Sequence, residues 1–227
     1  QKVQICQTFR VPEEKVHVMG TGYNSDVFSI DEAAKAQKST KTRLVFAGKL
    51  SEKKGLFSLL RALRLLRHPE KYELALAGGY GNAIEYAEIC RLAEAAPCQV
   101  TFLGKLSHPE LARQMNASDA FILPSFYEGL PLVLIEAMAC GLKTVCTDLP
   151  GIRPWLDQAI PHCGTLFVEP PRMFNEDEPY PEDLEIFEQR LAEAIESLKH
   201  RHSADLNLVR RVSWSALCEK LISIWNE

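Results

Sequence analysis

The sequence has no surplus of basic charge: 26 Lys and Arg face 30 Asp and Glu, for a formal net charge of -4 and a pI near 5.9. A general nucleic-acid surface or an anionic-membrane surface normally needs a basic excess, so neither partner is expected. Any anion must be gripped locally. The chain has no apolar run of membrane-spanning length and no charged-then-apolar leader, which argues against insertion and secretion. Its seven cysteines are odd in number, never form C-x-x-C and lie mostly in apolar segments. They read as reduced, small hydrophobes of a cytoplasmic protein rather than disulfides or a zinc site. The histidines lack ligand spacing except for His200 and His202, which sit in a polar stretch and read as a solvated helix end. No aspartate cluster of metal-binding spacing appears near the candidate sites described below, so no metal is expected. There are no repeats, and the absence of G-x-x-x-x-G-K-[ST] excludes a phosphate-loop NTPase. The chain opens on Gln1 without an initiator Met, and we expect it to be a piece of something longer.

What is present is a regular alternation. "KVHVMG", "RLVFAGK", "YELALAG", "QVTFLGK", "AFILPS", "KTVCTD" and "GTLFVE" are short, apolar and rich in branched residues, the pattern of strands buried on both faces. Helical patterns fall between them at 56–67, 83–96, 109–116, 131–139 and 151–158. Strand, helix, strand at this rhythm predicts an α/β fold: a Rossmann-like open parallel sheet with helices on both faces. With 227 residues, 46% of them hydrophobic, one large domain spanning 1–227 is the simplest reading. After Glu169, "PPRMFNEDEPYPEDLE" reads as a surface loop, followed by C-terminal helices over about 182–199 and 204–225. "GTGYNSDVFSIDEAAKAQKSTK" reads as an exposed connection.

Ligands of such sheets sit at the carboxyl ends of the strands, so chemistry is sought there. After "RLVFAG" come Lys49 and then Ser51-Glu52-Lys53-Lys54-Gly55, where a helix begins. Gly48, two lysines and free N–H groups make a local anion site, the alternative being a solvated Lys-rich turn, with Lys53 expected to point to solvent. After "YELALAG" comes Gly78-Gly79-Tyr80-Gly81, a partial dinucleotide fingerprint whose third glycine position is Ile84. A tight glycine turn is the better reading. After "QVTFLG" come Lys105 and Leu106, a strand end beginning at Gly104 whose backbone could face a flat ligand.

The fourth end is "SFYEGLPLVLIEAMACG", residues 125–141. Gly129 would let the chain turn tightly out of the strand, and Pro131 suits the first turn of a helix because its missing N–H costs nothing there. Leu132, Val133, Ile135, Ala137, Ala139 and Cys140 are expected mostly against the sheet. Glu136 inside so apolar a helix would be costly without hydrogen-bond donors, which protein or ligand must supply. Glu128 lies eight residues earlier, so a helical rise puts the two acids up to roughly 12 Å apart, with the free N–H groups of Gly129, Leu130, Leu132 and Val133 between them. A molecule hydroxylated at both ends and charged in the middle, such as a nucleoside-diphosphate sugar, would match this cradle; the alternative is a core helix whose acid is satisfied by a neighbouring lysine.

The ordered blocks "FAGKLSEKKG", "LALAGG", "VTFLGKL", "ASDAFILPSFYEGLPLVLIEAMACGLKTVCTDLPG" and "GTLFVEP" resemble the C-terminal, donor-binding half of retaining glycosyltransferases of family four, group 1, enzymes built from two facing Rossmann-like domains. The likeness begins near "HVMGTGYNSDVF", similar to that family's interdomain segment. It implies that Glu128 meets the donor sugar near the reacting carbon, Glu136 the ribose hydroxyls, and the amides from Gly129 to Leu132, around Pro131, the diphosphate. Lys54 would hold phosphate, as would Lys49, which stands where the family usually has arginine and so offers a point charge instead of a bidentate fork. Gly104, Lys105 and Leu106 would contact the base through backbone atoms. The resemblance further implies transfer of a hexose from a UDP-sugar to an acceptor hydroxyl with retention, without metal or cofactor. The acceptor site would come from a missing N-terminal domain, through which any association with a membrane surface would also come, and this half alone would be inactive. The alternatives are an epimerase-like sugar-nucleotide binder and a dinucleotide-binding domain; the second lacks its complete glycine fingerprint and ribose acid.

Overall fold

The computed structural model describes residues 2–35 and 39–226. Six strands form one sheet: β1 (Thr42–Ala47), β2 (Tyr72–Ala77), β3 (Gln99–Gly104), β4 (Ala120–Leu123), β5 (Lys143–Thr147) and β6 (Leu166–Val168). All pairings are parallel, in the order β3-β2-β1-β4-β5-β6. The central strands carry unbroken apolar runs because helices cover both sides; every residue of β4 is buried, as are the last four of β1. The edge strand β3, by contrast, alternates exposed and half-buried positions along Gln99 to Phe102.

Helices α1 (Lys2–Phe9) and α2 (Glu32–Lys35) precede the sheet, and α3 (Leu56–Ala62), α4 (Ala83–Glu94), α5 (His108–Asn116), α6 (Leu132–Ala139) and α7 (Ile152–Ala159) connect its strands. α3 and α4 carry the chain outward from β1 to β3. α5 then returns it to the other side of β1, and α6 and α7 carry it on to β6. This reversal leaves a crevice where the carboxyl ends of β1 and β4 part, the standard ligand position of an open α/β sheet. The return helix α8 (Leu184–Ser197) packs on α3, whose Leu56, Leu59 and Leu60 are fully buried, and α9 (Leu206–Arg210) packs on α6. Burying each such leucine contributes about 1.5–3 kcal/mol.

Three expectations are corrected. "KVHVMG" is no strand: Val18 is 61% exposed and no sheet strand pairs with the segment, so its backbone has no ladder to join. The connection after it is not simply exposed, for Tyr23 and Phe28 are buried in the core and the Asn116 side chain bonds Ser29 O and Asp31 N, each at 2.8 Å. Residues 36–38 of that connection lie outside the described residues. The last expected helix is two, α9 and α10 (Trp214–Asn226), because Trp214 N–H leaves the helical pattern to donate to Tyr23 O at 3.0 Å. No glycine or proline marks that break. The proline-rich loop is at the surface and is tied to itself, with Phe174 N bonded to Glu178 O and Tyr180 N to Arg172 O. Among the described residues no helix is long and apolar enough to cross a membrane.

One glycine holds the two halves of the crevice together. Gly55 has φ 70°, and a Cβ added to it would lie 2.0 Å from the Pro124 carbonyl oxygen. Gly55→Ala is therefore expected to cost at least about 2 kcal/mol of stability in urea denaturation. A change within about 0.5 kcal/mol would contradict this packing.

Candidate functional site

The lysine turn after β1 is built from backbone contacts. Gly48 N bonds Ala77 O and Leu50 N bonds Gly79 O, so the chain leaves β1 still paired with the end of β2. A short 3-10 turn over Glu52–Lys54 follows, and Phe126 N, just beyond β4, donates to Lys53 O at 3.0 Å. Together with the close approach at Gly55, this bond fixes the turn against the loop that leaves β4. Lys54 is thereby brought to Glu128, with Nζ 2.7 Å from Oε1. The buried Ser125 hydroxyl donates to the same oxygen, also at 2.7 Å. Glu128 is thus held from one side, with its side chain 14% exposed. Among the described residues no donor reaches its Oε2. Lys53 is half exposed but not free in solvent: it pairs with Asp177 of the proline-rich loop at 2.5 Å.

The start of α6 is equally specific. Pro131 caps it in an extended conformation, and Leu134 N is bonded to Pro131 O. Among the described residues no protein acceptor takes the N–H groups of Gly129, Leu130, Leu132 or Val133. Leu134, Ile135, Ala137, Met138 and Ala139 are buried. Leu132 departs from the expected packing: it is 40% exposed and lines the crevice, whereas Val133 lines the crevice while still packing, half-buried, against the core. Glu136 lines it too. No donor among the described residues meets its carboxylate, and burial pushes its pKa above the ordinary range, an effect that charge on His108 would oppose.

These groups surround a cleft of about 810 Å³. Of the residues expected there, Gly48, Lys49, Lys54, Lys105 and Leu106 line it from the strand ends, and Glu128, Leu130, Pro131, Leu132 and Glu136 from the start of α6. Gly104 and Gly129 are not among the lining residues. Gly129 also departs from its expected turn role. It takes no left-handed conformation, and a Cβ on it would meet nothing within 4 Å, so the fold itself does not require glycine there.

Several contributors went unrecognised in the sequence. His108, at the first position of α5, lines the cleft; it is set there by Ser107, whose N–H and hydroxyl both bond Glu110 Oε2 at 2.8 and 2.6 Å. Ser125 orients Glu128 from three residues upstream, a spacing common to local side-chain turns. The Gly78 to Gly81 turn is a tight turn, as expected, because a Cβ on Gly78 would fall 1.7 Å from Gly48 O. It also lies against two lysines, since a Cβ on Gly79 would meet Lys105 Cε at 2.4 Å and one on Gly81 would meet Lys49 Nζ at 3.0 Å. Lys49, Lys54 and Lys105 thus face one cleft with Glu128 and Glu136, three ammonium groups against two carboxylates in a protein of net charge -4. Such a site favours an anion that also carries hydroxyl groups.

Residues 28–177 match the family model described as glycosyl transferases group 1. The chain is 29% identical over 160 residues to a glycosyltransferase of Methanocaldococcus jannaschii described as uncharacterized, covering 66% of this chain and 41% of that protein. It is 26% identical over 196 residues to an alpha-maltose-1-phosphate synthase of Mycobacterium tuberculosis, covering 81% and 47%. The chain spans about half the length of the curated relatives it matches. Among solved structures, Anabaena HepE in complex with UDP and glucose superposes with a TM-score of 0.66 at 16% identity, over 99% of this chain and 60% of that one. The C-terminal domain of a group 1 family glycosyl transferase from Francisella tularensis superposes with a TM-score of 0.60 at 18% identity, over 89% and 97%. At these identities the structural likeness speaks for the fold.

The burial of Glu136, with no partner among the described residues, has a measurable consequence. Its raised pKa means that the carboxyl favours the fold while protonated, and that this stability is lost as pH rises from the ordinary carboxylate range through the raised value. At neutral pH the ionised group therefore destabilises the unliganded protein. Glu136→Gln should add about 1 kcal/mol to the unfolding free energy at pH 7, with the gain fading toward about pH 4. A loss of stability at pH 7 would show that the carboxylate has a partner inside the fold.

Proposed function

The chain belongs to the group 1 glycosyltransferases, and from that premise we propose that it is the donor-binding half of a retaining family-four enzyme that moves a hexose from a UDP-sugar to an acceptor hydroxyl. The observation that carries this reading is Glu136, a half-buried carboxylate that no donor among the described residues meets, in the same cleft as the Lys54–Glu128 pair and the N–H groups opening α6 that no described residue accepts. A ribose diol supplies the donors that Glu136 lacks. The diphosphate supplies acceptors for the amides of Leu130, Leu132 and Val133 and a counter-charge for Lys54 and Lys49. The open Oε2 of Glu128 is left for a sugar hydroxyl. Gly129, which the fold does not require, leaves room for the ligand to approach the backbone. That HepE is described in complex with UDP and glucose supports a uridine donor on this fold.

In the reaction, the bond between the sugar's anomeric carbon and the diphosphate oxygen breaks while a bond to the acceptor oxygen forms on the same face. The acceptor's proton leaves with the diphosphate or with solvent. Positive charge develops on the sugar and negative charge on the leaving group. The lysines and the α6 amides stabilise the leaving group in place before the reaction, so little reorganisation is needed, and no metal is required. Glu128, beside the reacting carbon, binds the sugar and favours its positive charge. The acceptor site belongs to the other half of the enzyme, so this half binds donor without transferring it.

Titration calorimetry with UDP, GDP and ADP tests the proposal. UDP should bind in the presence of EDTA, and Lys54→Ala and Glu136→Ala should each weaken it about tenfold or more, since a hydrogen bond to a charged group contributes about 1.5–3 kcal/mol. Binding unchanged by both substitutions would contradict the assignment, and loss of binding in EDTA would contradict the metal-free mechanism.

A further inference from the structure

The turn after β2 holds a residue that the proposed chemistry does not use. Tyr80 lines the cleft yet keeps 54% of its surface exposed. Its ring is not loose: it stacks on Tyr86 of α4 with centroids 4.1 Å apart and planes 10° from parallel. Tyr86 in turn meets Phe102 of β3 edge-on, at 5.9 Å and 79°. The Tyr80 backbone is bridged to Leu50, after β1. An exposed aromatic held by a stack and by its own backbone has already given up most of its freedom, so a flat ligand can meet it at little further entropic cost.

The place of the ring selects the part of the ligand. Gly78 N donates to Gly104 O at 2.7 Å, and Lys105 lies over Gly79, so the Tyr80 turn and the end of β3 form one wall. The carboxylates that would read hydroxyls come from the β4–α6 wall instead. A ring offers little to a sugar hydroxyl or a phosphate, but it offers a π face to a base, and stacking of this kind tolerates any base.

Resting on the donor-site reading above, we propose that Tyr80, buttressed by Tyr86 and Phe102, is a base-stacking residue: it forms the aromatic wall of the cleft beside Lys105 and raises affinity for a nucleotide over its diphosphate alone. The test is calorimetry with UDP and with pyrophosphate on the wild type, Tyr80→Ala and Tyr80→Phe, with thermal unfolding to show that the turn is intact. Tyr80→Ala should weaken UDP binding about five- to fiftyfold and change pyrophosphate binding less than about twofold, while Tyr80→Phe, which keeps the ring, should behave as wild type. Two outcomes overturn the inference: UDP binding untouched by Tyr80→Ala, or UDP and pyrophosphate weakened together. If UDP binding still depends on Lys54 in either case, the donor-site reading survives and only the stacking role fails. If the wild type binds neither ligand, the donor-site reading fails and the role of Tyr80 falls with it.

Discussion

The contact on which the site depends is the approach of the β1 turn to the loop leaving β4. Lys54 and Glu128 are 74 residues apart in sequence, and their ends lie 2.7 Å apart only because Gly55 lets one backbone pass against Pro124 and Phe126 N bonds Lys53 O. An ion pair between flexible side chains contributes little at an exposed surface. Here the two partners stand on turns that follow β1 and β4 and that bond each other through Phe126 N and Lys53 O, and Ser125 adds a hydrogen bond to the same carboxylate oxygen. The geometry is set by the sheet and not by the pair.

On the proposed reading, that arrangement would let an acidic protein grip an anion. The charge balance of the whole chain is negative, but the crevice gathers lysines from the ends of β1 and β3 and unused amides from the start of α6. The same crevice keeps Glu136 in a setting that penalises its charge. A fold under selection for stability alone would place an amide or an apolar side chain there. On the proposed reading its partners arrive with the ligand, and local stability would be given up for recognition.

Much of this was legible in the sequence because the controlling patterns are local. Strands buried on both faces need continuous apolar runs, so the six sheet strands were readable, and an acid inside an apolar helix announces an unmet need for donors. The failures share a cause: each depended on contacts distant in the chain. "KVHVMG" has the composition of a strand but no neighbour to pair with, and the C-terminal helix breaks at Ser213 because the Trp214 N–H bonds Tyr23, nearly two hundred positions earlier. His108 and Tyr80 carry no motif; only the fold brings them to the cleft. The turn expected at Gly129 needs no glycine, since its backbone is not left-handed and a Cβ there would meet nothing within 4 Å.

The central claim is that the amides opening α6 receive the diphosphate. The most direct measurement is the backbone amide spectrum of the protein by NMR as UDP is added. The account predicts downfield proton shifts at Leu130, Leu132 and Val133, as groups without an acceptor among the described residues gain a charged one. Titration that moves amides elsewhere while leaving these three unchanged would contradict it.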